Sequence, residues 1–228
     1  MVKAERVQPG DEIHMGPPIT VDRYGPAARV NHWITAGSLI LLAISGLALF
    51  HPSLFFLTAL FGGGQTTRWI HPWIGVVLFI SFYIFFFQLW KANLFTRTDV
   101  KWLMSVQDVL AAREDKLPEV GKYNAGQKMI FWGMALLIMA LIVTGVIIWD
   151  QYFLEATAIP TKRIAVLVHA LAAVAIICIF IFHVYAAIWT RGTLRAMTRG
   201  TVTGGWAFRH HRKWFKELAS RRRVDPAE

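Results

Sequence analysis

The sequence predicts an all-α integral membrane protein, a four-helix bundle with both termini in the cytoplasm. Three observations carry that expectation. Of 228 residues, 55% are hydrophobic and only 17% charged, below the roughly one quarter usual for soluble chains. Four long apolar segments have no Lys, Arg, Asp or Glu in their interior. The formal net charge of +10 is distributed unevenly along the chain. A single cysteine excludes a disulfide scaffold, and the apolar content excludes intrinsic disorder.

The elements follow in order. Residues 1–30 form a polar N-terminal segment, and residues 31–190 carry the spans, at about 33–50, 70–90, 129–149 and 164–190. Residues 191–228 form a basic tail. Each span approaches the ~20 apolar residues that a bilayer crossing needs. The runs are far longer than a strand and show no alternation. The first run follows about 31 mostly polar residues and lacks a cleavage signature, so it does not read as a signal peptide.

Lys and Arg give the direction. Four precede Asn31, seven lie in the 91–128 loop and ten in the tail. The 51–69 and 150–163 loops hold one and two. Positive charge accumulates on the cytoplasmic side, so both termini and the middle loop are expected there, in a bacterial inner membrane. The tail reads as a contact for anionic lipid rather than nucleic acid. Trp33, Trp69, Trp73, Trp90, Trp149 and Trp189 sit near span ends, as interfacial residues do. In the middle loop, Val100, Leu103, Met104, Val106, Val109 and Leu110 recur at helical spacing and predict a helix along the inner surface. WAFRHHRKWFKELASRRR predicts a second surface helix.

Four of the eight histidines fall in the spans: His32, His71, His169 and His183. His14, His51, His210 and His211 are assigned to the surface. One intramembrane His is as well explained by a hydrogen bond across helices as by a ligand role. The spacing argues for more. His169 and His183 are 14 residues apart, which at 100° per residue brings them within about 40° of one face, roughly 21 Å apart along the helix. His71 matches His169 in depth at the outer side, and His32 matches His183 at the inner side. Two imidazoles at each of two depths suit two b haems, large apolar macrocycles with two axial positions. Covalent haem would need CxxCH, iron–sulfur clusters several thiolates, and zinc four ligands together. Gly46 and Gly75 lie near the outer level, where small residues admit either a planar cofactor or a neighbouring helix. Filled axial positions point to electron transfer. A quinone acceptor would need polar groups at a membrane surface. The residues leading into the third span, Lys122, Tyr123, Asn124, Gly126, Gln127 and Lys128, offer them, although Asn and Gln at a helix start also serve as caps.

RVNHW, RWIHPWIGV, EVGKYNAGQKMIFW, LLIMALIVTGVIIW, VLVHALAAV and HVYAAIW, with RHHRKWF in the tail, resemble the cytochrome b556 (gamma) subunits of respiratory formate dehydrogenases over nearly the whole chain. The stretch GKYNAGQKM followed by TGVIIW is the most specific. The resemblance implies that His71 and His169 hold a periplasm-side haem b and that His32 and His183 hold a cytoplasm-side haem b. It implies that Asn124, Gly126, Gln127 and His183 line a site for ubiquinone or menaquinone. It also implies an iron–sulfur beta subunit, a molybdenum or tungsten catalytic alpha subunit where formate is oxidised, and a multimer of heterotrimers. The segment before about Asp22 is longer than the family's usual start. The alternatives are a di-haem cytochrome b of a nickel–iron hydrogenase, a transporter with His proton relays, and a membrane anchor without cofactor.

Overall fold

The computed structural model describes residues 7–153 and 157–224. The first six residues of the N-terminal segment, residues 154–156 of the 150–163 loop and the last four of the tail lie outside the described residues. In chain order the elements are β1 (Ile13–His14), β2 (Thr20–Asp22), α1 (Pro26–Phe50), α2 (Gly64–Leu89), α3 (Arg97–Met104), α4 (Val106–Leu110), α5 (Ala125–Ile147), α6 (Asp150–Phe153), α7 (Ile159–Trp189), α8 (Leu194–Thr198), β3 (Thr201–Thr203), α9 (Gly204–His210) and α10 (Arg212–Val224). Helices α1, α2, α5 and α7 are each long and apolar enough to cross a membrane. All four begin several residues before the apolar runs do. Pro26 opens α1 and Pro160 lies in the first turn of α7, positions where the missing N–H costs nothing, and polar residues extend a helix into the interface without breaking it.

The chain forms two compact units. One comprises Val30–Phe86 and Trp132–Val184 and contains the apolar parts of the four long helices. Its core is a layer of Leu39, Leu78, Phe82, Ala135, Ile138 and Ile176. Leu39 is seven residues from His32, Leu78 seven from His71, and Ile176 seven from both His169 and His183. The layer is therefore an apolar plug at mid-helix. Ile40, Leu41, Val77, Ile80, Leu136, Val143 and Ile181 are exposed, and such an apolar exterior is stable only against lipid. The Tyr83 hydroxyl donates to the Ala135 carbonyl at 2.8 Å, so the one polar tip in this aromatic stretch is satisfied.

The other unit comprises Met1–Arg29, Phe87–Phe131 and Tyr185–Glu228. It departs from an all-α expectation: β1, β2 and β3 form an antiparallel sheet, with Val21 paired to Val202. Strands of two or three residues are too short to leave a period in the sequence. Val21, Val202, Trp206, Ala207, Trp214 and Leu218 form its buried core, so the described part of the N-terminal segment folds together with the tail. The single tail helix expected from sequence is two, broken at His211. That residue is buried, not on the surface, because its Nδ1 lies 2.8 Å from the Gly121 carbonyl. The middle-loop helix is likewise broken at Ser105, whose backbone N–H bonds back to Lys101 and Trp102. Val100, Met104, Val106 and Leu110 remain exposed, the apolar face expected of a segment on a bilayer surface.

Candidate haem and quinone sites

The structure brings the four histidines together in the two pairs expected from their spacing. The His71 and His169 rings have centroids 6.4 Å apart, and the His32 and His183 rings 6.3 Å apart. Two imidazoles bound on opposite sides of one metal, with bonds of about 2 Å, would have ring centres about 6 Å apart. Both pairs meet that requirement.

Around His71 and His169 lies a cavity of about 980 Å³, lined by Leu42, Leu78, Ile138, Leu141 and Ala173 among other apolar side chains. Gly46, Gly75 and Gly145 also line it. A Cβ on Gly46 would stand 3.4 Å from His71 Cε1, and one on Gly145 3.5 Å from His169 Cε1, whereas one on Gly75 would meet nothing within 4 Å. Gly46 and Gly145 thus let the imidazoles close in, and Gly75 leaves open space. A large apolar cavity entered by two opposed imidazoles fits a b-type macrocycle in size and in donor set.

Hydroxyl groups fix these two rings, a feature that sequence reasoning did not single out. The Ser45 hydroxyl donates to the Leu41 carbonyl at 2.8 Å, and its oxygen lies 2.7 Å from His71 Nδ1. The Thr144 hydroxyl donates to the Ala140 carbonyl at 2.6 Å, and its oxygen lies 2.8 Å from His169 Nδ1. Each hydroxyl proton is already committed, so each oxygen accepts from Nδ1–H. That tautomer leaves Nε2 with its lone pair, ready to bind a metal. The third long apolar segment, which has no histidine, supplies Thr144. The signal was available: Ser45-Gly46 precedes His71, and Thr144-Gly145 precedes His169, at nearly equal intervals.

His32 differs. Its Nδ1 is buried without a hydrogen-bond partner among the described residues, and its ring packs edge-on against Trp33 at 5.4 Å. At the far end of α5 and α2, Trp73, Trp149 and Tyr152 form an aromatic group with centroids 5.1–6.0 Å apart, in keeping with an interfacial belt.

In the other unit, Asn124 and Gln127 form a reciprocal cap at the start of α5. The Gln127 backbone N–H donates to Asn124 Oδ1 at 2.9 Å, and the Asn124 N–H donates to Gln127 Oε1 at 3.0 Å. Both amide oxygens are thereby used, and the two NH₂ groups remain as donors of the kind a quinone carbonyl accepts. Gly126 permits close approach of Trp102, since a Cβ there would stand 3.3 Å from its ring. Lys122 and Lys128 are not free for substrate. Lys122 is buried and paired with Asp11 at 2.6 Å, and Lys128 with Asp99 at 2.6 Å. Burial lowers the Lys122 amine to about 8. Arg23 is buried beside it, donating to the Lys122 carbonyl at 2.5 Å and lying over the Tyr24, Tyr123, Trp206 and Trp214 rings. Burial, then the Arg23 charge, push His211 well below the usual imidazole range, so it is neutral.

Comparison with known proteins bears on both regions. Residues 23–200 match the prokaryotic cytochrome b561 family. The chain is 43% identical to the formate dehydrogenase cytochrome b556(fdo) subunit of Escherichia coli over 199 residues, 87% of this chain and 93% of that one. It is 38% identical to the nitrate-inducible formate dehydrogenase cytochrome b556(Fdn) subunit of the same organism, covering 83% and 88%. The formate dehydrogenase cytochrome b556 subunit of Haemophilus influenzae is 36% identical, covering 86% and 82%. These relatives do not support the hydrogenase alternative.

Proposed function

The chain belongs to the prokaryotic cytochrome b561 family and, within it, to the formate dehydrogenase cytochrome b556 subunits, and on that premise we propose that it carries electrons from formate oxidation to quinone. The observation that supports this most directly is the spacing of the two histidine pairs, 6.4 and 6.3 Å between centroids.

On this reading His71 and His169 hold an outer haem b, and His32 and His183 hold an inner one. Bound haem supplies one-electron chemistry. The residues of the chain do the rest. Ser45 and Thr144 orient the outer imidazoles, Gly46, Gly75 and Gly145 make room, and the Leu39–Leu78–Ile176 layer keeps water from the region between the pairs. Asn124, Gly126 and Gln127 receive a quinone, ubiquinone or menaquinone, with the two amide NH₂ groups donating to its carbonyls. The charge asymmetry supports cytoplasmic termini in a bacterial inner membrane, with the basic tail near anionic lipid. Formate is oxidised at a molybdenum or tungsten centre of another subunit. An iron–sulfur subunit delivers the electrons, and the complex assembles as a multimer of heterotrimers.

The test is a reduced-minus-oxidised spectrum of the purified complex, read with formate and then with hydrogen, together with a pyridine haemochrome assay. Formate should reduce a b-type haem and hydrogen should not, with two haems per chain. A single haem per folded chain, or reduction by hydrogen instead of formate, would overturn the assignment.

A further inference from the structure

The Ser45 and Thr144 hydroxyls do more than satisfy polar groups. A histidine donating its distal N–H to an acceptor becomes a more basic metal ligand. A more basic ligand favours the more positive, oxidised metal and so lowers its reduction potential. Both members of the His71–His169 pair have such an acceptor, at 2.7 and 2.8 Å. Ser45 and Thr144 are themselves buried, so no water competes for the bond. The acceptors are neutral hydroxyls whose own protons are held by the Leu41 and Ala140 carbonyls, which fixes the direction of each bond. In the His32–His183 pair, the His32 Nδ1 is buried with no acceptor among the described residues, and that imidazole is the weaker donor.

We propose that Ser45 and Thr144 are positioning residues that hold His71 and His169 in the Nδ1–H tautomer and make the haem site they form the lower-potential of the two. The proposal rests on the haem-ligand reading above. It gives the conductor a built-in direction: an electron arriving at the outer pair moves downhill to the inner one.

Redox potentiometry of the purified complex tests it, with the outer haem identified as the spectral component lost in His71→Ala. Thr144→Val keeps the side chain's shape and removes the acceptor; Thr144→Ser keeps the acceptor. Ser45→Ala removes the other. In Thr144→Val and Ser45→Ala the outer component should rise in potential by about tenfold in its reduction equilibrium, 59 mV for one electron. Its low-spin resonance signal should shift with it, and the inner component should stay in place. Thr144→Ser should match the wild type. Thr144→Val carries the test even where Ser45→Ala loses haem. The proposal is overturned if the Thr144→Val outer component is unmoved, if the inner component moves instead, or if the outer component is already the higher-potential one. A His71→Ala chain that keeps both haems would instead overturn the ligand reading beneath it.

Discussion

The two histidine pairs have nearly the same separation, 6.4 and 6.3 Å between ring centres, and different surroundings. The His71–His169 pair is held by two hydroxyls and two glycines, all on neighbouring helices. The His32–His183 pair has a buried ring nitrogen with no partner among the described residues and a tryptophan edge beside it. The difference separates two jobs that are easily merged. Helix register gives each pair one ligand from the same helix, because fourteen residues bring His169 and His183 to almost the same face of α7. What lies behind each ligand sets its tautomer and basicity. Equal spacing therefore does not mean equal chemistry.

The largest test of the comparison removes ligands one pair at a time. His71→Ala and His169→Ala should each halve the haem content and leave the other component's spectrum intact. His183→Ala should do the reverse and also stop quinone reduction. If any one of these variants lost both haems while staying folded, the pairs would not be independent sites.

A smaller effect separates space from ligation. Gly46→Leu keeps all four histidines and drives a side chain toward His71 Cε1, which a Cβ alone already approaches to 3.4 Å. We expect the outer haem to be lost or its affinity to fall at least tenfold, with the inner component unchanged. Haem titration of the membrane-extracted protein reads this directly. Gly75→Ala is the control, since a Cβ there meets nothing within 4 Å; it should retain both haems.

Much of this was legible in the sequence, for physical reasons. Apolar runs and charge bias state the spans, and the His spacing states the pairs, because both depend only on helix geometry. Gly46 could be placed by the same arithmetic. Ser45 and Thr144 could not be recognised as readily, because Ser and Thr in apolar helices most often bond their own backbone, and here they do that as well. His211 and the Arg23 cluster were hidden for a different reason. The burial of those residues depends on strands of two and three residues and on contacts between segments far apart in sequence, such as Val21 with Val202. Polar residues brought together in that way carry no local period.

A third variant set tests the expected acceptor end without touching either pair. Asn124→Ala removes the cap on α5, at a cost of about 1 kcal/mol, and also the amide donor. Asn124→Ser restores a capping oxygen opposite Gln127 but not the NH₂ group. Both should slow quinone reduction severalfold with haem spectra unchanged, and only Asn124→Ala should lower the melting temperature. Full turnover in Asn124→Ser would reduce Asn124 to a cap and leave the quinone donor to be found elsewhere.

The smallest effect is a pH dependence that both pairs should ignore. His211 is neutral in the folded chain because burial and Arg23 hold its imidazole well below the usual value of 6.5. Below pH 6.5 the unfolded chain binds a proton there that the folded chain does not, so stability rises with pH. The contribution is complete above pH 6.5 and is lost as pH falls toward the depressed folded value, at up to about 1.4 kcal/mol per pH unit. Hydrogen-exchange protection of Trp206, Ala207 and Trp214 should therefore fall between pH 7.5 and 5.5. In His211→Asn, whose amide can still donate to the Gly121 carbonyl, that fall should flatten. The remaining slope would belong to His210, which burial also lowers and which faces Glu114 and Arg209. The haem spectra should not change over this range, because the Nδ1 atoms of His71 and His169 face the Ser45 and Thr144 hydroxyls rather than a charged group. A pH-dependent spectrum for the outer component alone would mean that a proton reaches Nδ1 of His71 or His169, and the tautomer assigned from Ser45 and Thr144 would not hold.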